Sequence, residues 1–217
     1  MFTKGLHMSE LLNRLAYLQT RRDRTPNLDL ARDLAAREDK AGIREIAQNM
    51  RNENKNIHSD CVHVMYEIGI IEPKLIEQYG DEFIKLLKSK HSNMVSGAMT
   101  ALAEIAKVKP ELIFKNLDTL KRASKEGDEI TVDAFISALA NTAEANEEYN
   151  TKILPYLLEH LSSCRSSDLP QHAESMLPAI DEFNKDDFVK VLKKRQQKLD
   201  SAAFTRLGRI IRLAEKI

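Results

Sequence analysis

The fold of this chain is decided by residues 91–120, which read HSNMVSGAMTALAEIAKVKPELIFKNLDTL. Apolar residues here follow the i, i+3, i+4, i+7 spacing of one buried helix stripe, beginning with Val95, Ala98, Met99 and Leu102. Pro110 follows, and the first turn of a helix tolerates its missing N–H. The stretch therefore predicts an apolar helix, a corner and the beginning of a second helix.

The same pattern recurs with a period of 37 residues, the spacing between Pro73 and Pro110. Four further series of mostly apolar or small residues keep this spacing: Met65, Leu102, Leu139 and Met176; Gly69, Ala106, Ala143 and Ile180; Leu75, Leu112 and Tyr149; Phe83, Leu120 and Leu157. A period of about 20 to 50 residues is typical of stacked arrays, in which each unit buries its apolar face against its neighbours. The sequence therefore predicts an array of helix pairs.

The chain resembles the HEAT/armadillo class of α-helical repeat proteins over roughly residues 40–217. The resemblance rests on the V-x-x-A-x-x-A-L-x-x-I-A run from Val95 to Ala106 and on first helices that begin with Pro73 and Pro110. It implies an all-α fold, an α-α superhelix of about five to six antiparallel helix pairs. It also implies that the second helix of each pair lines a concave surface where partners bind.

Composition fits one soluble domain. The 217 residues include 33 Lys/Arg and 33 Asp/Glu, and 42% are hydrophobic. We interpret residues 1–217 as a single domain, with capping helices over 8–38, regular repeats over 39–184 and a basic capping pair over 185–217. No apolar run predicts a membrane span or a secretory signal, and Met8 resembles a natural start, with residues 1–7 as an upstream extension. Two cysteines are too few for a disulfide framework, so we expect a cytoplasmic protein.

Helices are predicted over 9–22 and 28–37, with Ser9 as a cap and a break before Pro26. The repeats then predict helices over 40–52, 57–71, 74–89, 92–108, 111–125, 129–145, 147–163, 169–183, 185–198 and 201–216. Gly127 is predicted to end one helix, and Asp128 and Asp168 are predicted to cap the next ones.

No motif predicts catalysis, a cofactor or a metal site. The run HSDCVH (58–63) contains His58, Cys61 and His63, but a fourth ligand is not evident. His160 and Cys164 lie about three repeats away, and a solenoid would hold them too far off to share one ion. Gly-rich phosphate loops and nucleophile elbows are lacking. We therefore expect a protein that is not an enzyme.

Polar side chains form a stripe opposite the apolar face of each second helix. The predicted partner-binding residues are Asp60, His63, Glu67, Thr100, Glu104, Asp133, Ser137 and Asn141. Members such as His63, Thr100 and Ser137 are spaced by the repeat period, so stacked helices would align them in one ladder. This ladder predicts a mildly acidic groove for a protein or peptide, but every helix in such a stack also needs one solvated side.

The C-terminal segment indicates an alternative function, the binding of nucleic acid. Residues 185–217 carry ten Lys/Arg against four Asp/Glu, whereas residues 25–184 carry 18 against 27. The candidate nucleic-acid residues are Lys193, Lys194, Arg195, Arg206, Arg209 and Arg212. They could contact phosphates, or they could simply favour helix C-termini and a soluble terminal surface. The leading prediction is a non-enzymatic scaffold that binds a protein or peptide, with a basic partner as one option, and the alternative is a nucleic-acid-associated protein.

Overall fold

The computed structural model describes residues 9–197 and 199–217, and within them every regular element is helical. The predicted all-α class is confirmed. Twelve α-helices are present in this part of the chain: α1 (Thr25–Ala36), α2 (Lys40–Asn49), α3 (Lys55–Ile71), α4 (Gly80–Leu86), α5 (Ser92–Ile105), α6 (Pro110–Lys115), α7 (Leu117–Glu126), α8 (Glu129–Glu144), α9 (Glu147–Ser163), α10 (Leu169–Ser175), α11 (Lys185–Gln196) and α12 (Ser201–Ala214). Short 3₁₀ helices cover Leu12–Arg14, Pro73–Leu75, Glu77–Tyr79 and Leu177–Ala179.

The chain packs as two compact units, Met1–Ile105 and Ala106–Ile217. The single-domain interpretation stays a prediction, as do the boundaries at 38 and 184. The predicted start at Met8 and the basic residue Lys198 lie outside the described residues. No helix in the described part of the chain is long and apolar enough to cross a membrane.

In unit 1, α3 is the central helix and packs against α1, α2 and α5. Met65 and Ile68 of α3 and Met99 of α5 have no exposed surface. A Cβ placed on Gly97 would lie 2.8 Å from Val62 Cγ1, closer than real Cβ atoms approach. The absence of a side chain at Gly97 therefore lets α5 lie directly against α3.

In unit 2, α8 is the central helix and packs against α6, α7, α9 and α10. Its first turn is capped as predicted, since Asp128 Oδ1 accepts from the Thr131 N–H at 2.9 Å. The preceding helix ends before Gly127, also as predicted. The bounds of α9 match the predicted range of 147–163 although the helix contains Pro155.

The predicted helix over 9–22 is wrong. Residues 9–20 form turns and one short 3₁₀ helix, and two N–H groups in the middle of the stretch bond to distant side chains instead of to helix carbonyls. The Ala16 N–H donates to Asn27 Oδ1 at 2.9 Å, and the Tyr17 N–H donates to Asp60 Oδ2 at 2.8 Å. The second predicted helix begins earlier than expected, at Thr25, with Pro26 in its first turn.

Three of the predicted helices are divided in the structure. The ranges 74–89, 111–125 and 169–183 each divide into shorter helical pieces. At the break between α6 and α7, the Asn116 side chain donates to the Leu112 carbonyl at 2.8 Å, and the main-chain N–H of Asn116 bonds to Ile113 in a tighter turn. Asp168 does not cap α10 as predicted, because its carboxylate accepts hydrogen bonds from Arg165 and Ser167.

Candidate functional site

The predicted ladder of polar residues begins with Asp60, whose carboxylate is already occupied. One oxygen accepts from the Tyr17 N–H at 2.8 Å, and the other accepts from Asn27 Nδ2 at 2.9 Å. Asn27 is fully buried, so these bonds tie the N-terminal turns to α3. The structure gives Asp60 a role inside the protein, and its role in partner binding stays a prediction.

His63 is buried rather than solvated, with 4% of its surface exposed. Its Nε2 lies 3.4 Å from Glu67 Oε1, and its ring meets the Tyr66 ring edge-on at 4.9 Å. Burial, together with the positive charge of Arg24, lowers the pKa of His63 to about 4. The imidazole is therefore neutral at physiological pH.

The Glu67 carboxylate is 22% exposed and lies at the surface of the same helix. Burial raises the pKa of Glu67, while the positive charges of Arg32 and Arg24 act in the opposite direction. A partly desolvated carboxylate of this kind is stabilised when a cation approaches it.

The polar residues of α5 lie along its contact with α3. Asn93 Nδ2 donates to Ser59 Oγ at 3.1 Å, which joins the two helices near their N-terminal ends. A Cβ on Gly69 of α3 would lie 3.5 Å from Glu104 Cβ, so Glu104 lies beside α3 at the C-terminal end of α5. Between them, the part-exposed Thr100 donates its hydroxyl to the Ser96 carbonyl at 3.0 Å. We give the name α3–α5 face to the polar residues of these two neighbouring helices: Ser59, Tyr66 and Glu67 of α3, and Asn93, Thr100 and Glu104 of α5.

In unit 2, the predicted polar stripe on α8 begins with Asp133, which contacts α10. Asp133 accepts from Gln171 Nε2 at 2.7 Å, and its other oxygen lies 2.8 Å from His172 Nε2. Ser137 donates to the Asp133 carbonyl at 3.1 Å, and Asn141 is half-buried one turn further on. Their contact with a partner stays a prediction.

A cavity of about 420 Å³ opens beside Asp133 between the end of α9 and the beginnings of α8 and α10. Its lining includes His160 of α9, Cys164, which directly follows α9, and His172 of α10. His160 Nε2 lies 2.9 Å from His172 Nδ1. The ligand atoms of His160, Cys164 and His172 all lie within 4.8 Å of one another.

Electrostatics in this cavity follow from burial. Burial lowers the pKa of His160 to about 4, with the charge of His172 acting in the same direction and that of Asp168 in the opposite one. Burial also raises the pKa of the Cys164 thiol, and the nearby Arg195 guanidinium lowers it in part.

Sequence analysis overlooked His172 as a neighbour of His160 and Cys164. Their spacing in the sequence could have indicated this cluster. The three residues lie on either side of a short turn between two helices, and such a turn brings these positions together. The other candidate cluster does not assemble: among the described residues, the group around Cys61 brings no three possible ligands together. Cys61 has no exposed surface, and burial raises its pKa to about 12.

Some of the basic C-terminal residues form ion pairs or hydrogen bonds within the protein, and others are exposed. Lys193 pairs with Glu215 at 2.7 Å, and Arg206 pairs with Glu174 at 2.6 Å. Arg195 donates to the carbonyl oxygens of two residues at the end of α9, at 2.8 and 2.7 Å. Three others are exposed, namely Lys194, Arg209 and Arg212. Binding of nucleic acid by this cluster stays a prediction.

Comparisons with solved structures confirm the helical-repeat fold. The chain is similar to a crystal structure of an engineered protein, with 20% identity, a TM-score of 0.63 and coverage of 96% of this chain and 98% of the other. It is also similar to a designed armadillo repeat protein in complex with the peptide (KR)4, with 16% identity, a TM-score of 0.63 and coverage of 96% and 99%.

A third similar structure is described as computationally designed armadillo repeat proteins for modular peptide recognition, with 15% identity, a TM-score of 0.57 and coverage of 94% and 98%. No protein-family model matches the chain, and no curated protein matches it. This protein therefore has an armadillo-like helical repeat fold, as the resemblance predicted.

Proposed function

We propose that this protein is a non-enzymatic scaffold that binds a protein or peptide with basic side chains at the α3–α5 face. The observation that carries the proposal is the position of Glu67 and Glu104, two part-exposed carboxylates on neighbouring helices of one unit. Helices of this kind present extended surfaces to partners in repeat proteins. We further propose a cytoplasmic location, which its two free cysteines favour.

The chemistry of the face suits a Lys or Arg side chain. Burial already disfavours the charged form of Glu67, so a cation placed against it would recover part of that cost. Tyr66 lies beside it, half-buried, with its ring against Gly97. Tyrosines in this setting offer a rigid apolar surface and a hydroxyl group, and they often dominate binding energy at interfaces.

Structural similarity supports the same partner class. One similar structure holds a peptide of alternating Lys and Arg, and another belongs to proteins designed for peptide recognition. Residues 25–184 of this chain carry an excess of nine acidic groups, which would favour approach of a basic partner. The remaining predicted ladder residues, including Ser137 and Asn141, are secondary in this proposal because their helix belongs to unit 2.

The proposal is tested with a fluorescent peptide of alternating Lys and Arg, whose binding to the full chain is measured by anisotropy. We expect Glu67→Gln combined with Glu104→Gln to weaken binding by about 5- to 30-fold, since each partly exposed charge pair contributes roughly 0.5–1 kcal/mol. Tyr66→Ala should weaken binding in addition, because it removes aromatic contact area.

A matched control separates this face from general charge attraction. Glu53→Gln combined with Asp81→Asn removes the same two charges from exposed positions elsewhere in unit 1 and should leave the affinity within about twofold. The assignment fails if the control pair weakens binding as much as the pair on the α3–α5 face. It also fails if the basic peptide binds no better than an acidic peptide of equal length.

A further inference from the structure

The cavity in unit 2 holds a set of side chains that the peptide-binding proposal does not use. His160 Nε2, His172 Nδ1 and Cys164 Sγ converge within 4.8 Å of one another. We propose that His160, Cys164 and His172 bind a late first-row divalent metal ion, Zn²⁺ in the first instance. Two imidazoles and a thiolate select Zn²⁺ over Mg²⁺ and Ca²⁺, which prefer oxygen ligands.

The distances suit a tetrahedral ion after small side-chain movements. Bond lengths of about 2.05 Å for Zn–N and 2.3 Å for Zn–S place nitrogen ligands ~3.3 Å apart and nitrogen and sulfur ligands ~3.6 Å apart. The two imidazole nitrogens, now 2.9 Å apart, would separate by roughly 0.4 Å. Cys164 would approach by about 1.2 Å at most, which a χ1 adjustment at the end of α9 allows.

Asp133 supplies an independent argument. Its Oδ1 lies 2.8 Å from His172 Nε2, on the side of the ring opposite His160. A proton on Nε2 that is donated to Asp133 leaves Nδ1 with a lone pair directed at the proposed ion. Histidines that bind metals are commonly held by a carboxylate in this way. The His172 side chain is 2% exposed, and this bond fixes its orientation in the packed interior.

The backbone beneath the site is also held in place. Arg195 of α11 donates to the Leu161 carbonyl at 2.8 Å and to the Cys164 carbonyl at 2.7 Å. These bonds fix the end of α9 and the position of Cys164, which directly follows it. A metal ion would therefore join the end of α9 to α10 across the turn at residues 164–168.

Three protein ligands leave one position of a tetrahedral ion free, and the cavity that these residues line offers space for a fourth ligand. The carboxylate of Asp168 lines the same cavity, but it accepts from Arg165 Nε at 2.7 Å and from Ser167 Oγ at 2.7 Å. A water molecule, or a side chain of a bound partner, would complete the coordination.

The experiment is a titration of the full chain, free of any affinity tag, with Co²⁺ and then Zn²⁺. We expect one Co²⁺ per chain, an intense thiolate-to-cobalt charge-transfer absorption, and displacement of the cobalt by an equal amount of Zn²⁺. Zinc should also raise the melting temperature, because it binds the folded state. Absence of a charge-transfer band at saturating Co²⁺ would overturn the proposal.

Variants locate the site. Cys164→Ser should abolish the charge-transfer band, and His172→Ala should weaken Zn²⁺ binding by at least a hundredfold, whereas Asp133→Asn should weaken it by about 10- to 100-fold. His91→Ala is the matched control, since this histidine is exposed in unit 1. Equal Zn²⁺ affinity in Cys164→Ser, or loss of affinity in the His91 control, would overturn the assignment.

If His172→Ala does not fold, Cys164→Ser decides the question, because this cysteine is part-exposed and serine keeps a side chain of similar size that can still bond to the Leu161 carbonyl, now 3.8 Å from the sulfur. Alkylation gives a second readout. Zn²⁺ should protect Cys164 from iodoacetamide by at least tenfold in rate, while the fully buried Cys61 stays unreactive with or without the metal. Unchanged alkylation of Cys164 at saturating Zn²⁺ would contradict the proposal.

Discussion

Stability should fall in mild acid because of His63 on α3. The pKa of this histidine is lowered to about 4 by burial, whereas an unfolded histidine titrates near its ordinary value of 6.5. Between these values the unfolded chain binds a proton that the folded chain does not, so lowering the pH favours unfolding. The contribution of neutral His63 is therefore fully present above about pH 7, falls as the pH is lowered towards 4, and is constant below that.

The magnitude follows from the two pKa values. At about pH 5 the unfolded imidazole is almost fully protonated and the folded one is almost fully neutral, which costs about 2 kcal/mol of unfolding free energy relative to about pH 7.5. The structure supports this difference: His63 is 4% exposed, and its Nδ1 is buried without a hydrogen-bond partner among the described residues. A charged ring would leave this N–H unsatisfied.

The assay is urea unfolding, followed by circular dichroism at the two pH values, for the wild type and for His63→Gln. Glutamine keeps a polar side chain but does not titrate in this range, so the variant should lose about 2 kcal/mol less on acidification. Contributions from the other histidines remain in both proteins and cancel in the comparison. Equal losses in the two proteins would refute the argument.

If the wild type and His63→Gln lose equal stability, the variant Glu67→Gln shows the reason. Glu67 Oε1 lies 3.4 Å from His63 Nε2, and its charge would favour the protonated ring. If burial dominates, as we argue, acidification should destabilise Glu67→Gln and the wild type to a similar extent. If Glu67 dominates, the wild type should lose little stability in acid and Glu67→Gln should lose more.

Three further predictions concern packing and charge. Gly97→Ala should lower the unfolding free energy by roughly 1–2 kcal/mol, since a Cβ would lie 2.8 Å from the stiff Val62 side chain and this overpacking exceeds the helix-propensity gain; an unchanged or higher melting temperature would contradict it. Arg195→Lys should cost about 1–3 kcal/mol in urea unfolding, because one ammonium does not reproduce the forked bonds to two carbonyl oxygens at the end of α9; full stability in the lysine variant would disprove this role. If the C-terminal cluster binds nucleic acid, Lys194→Ala with Arg209→Ala should reduce the slope of log affinity against log salt by about 2, and a slope unaffected by these changes would exclude phosphate contacts there.

Features that depend on local patterns were predictable from the sequence. The period of 37 residues and the apolar stripe at Val95 gave the helical-repeat fold, because burial of one helix face imposes a regular spacing on the chain. The cap at Asp128 and the bounds of α9 were also correct, since helix ends are determined by side chains a few residues away.

Features that depend on distant partners were not predictable in this way. The stretch that begins at Ser9 has helical periodicity, but the Tyr17 N–H bonds to Asp60, more than 40 residues away, and the helix does not form. The sequence predicted Asp60 as a partner-binding residue and did not indicate its bonds to Tyr17 and Asn27. A sequence pattern does not show which hydrogen-bond partners the packing of other helices will supply.

The sequence by itself determined that this chain forms paired, repeating helices, because the residues that each helix buries recur at a regular spacing. Only the tertiary structure decided that His63 is enclosed and that His172 lies 2.9 Å from His160, with Asp133 behind it. Helix rotation and the path of a turn fix these contacts, and both depend on how neighbouring helices pack rather than on any one helix.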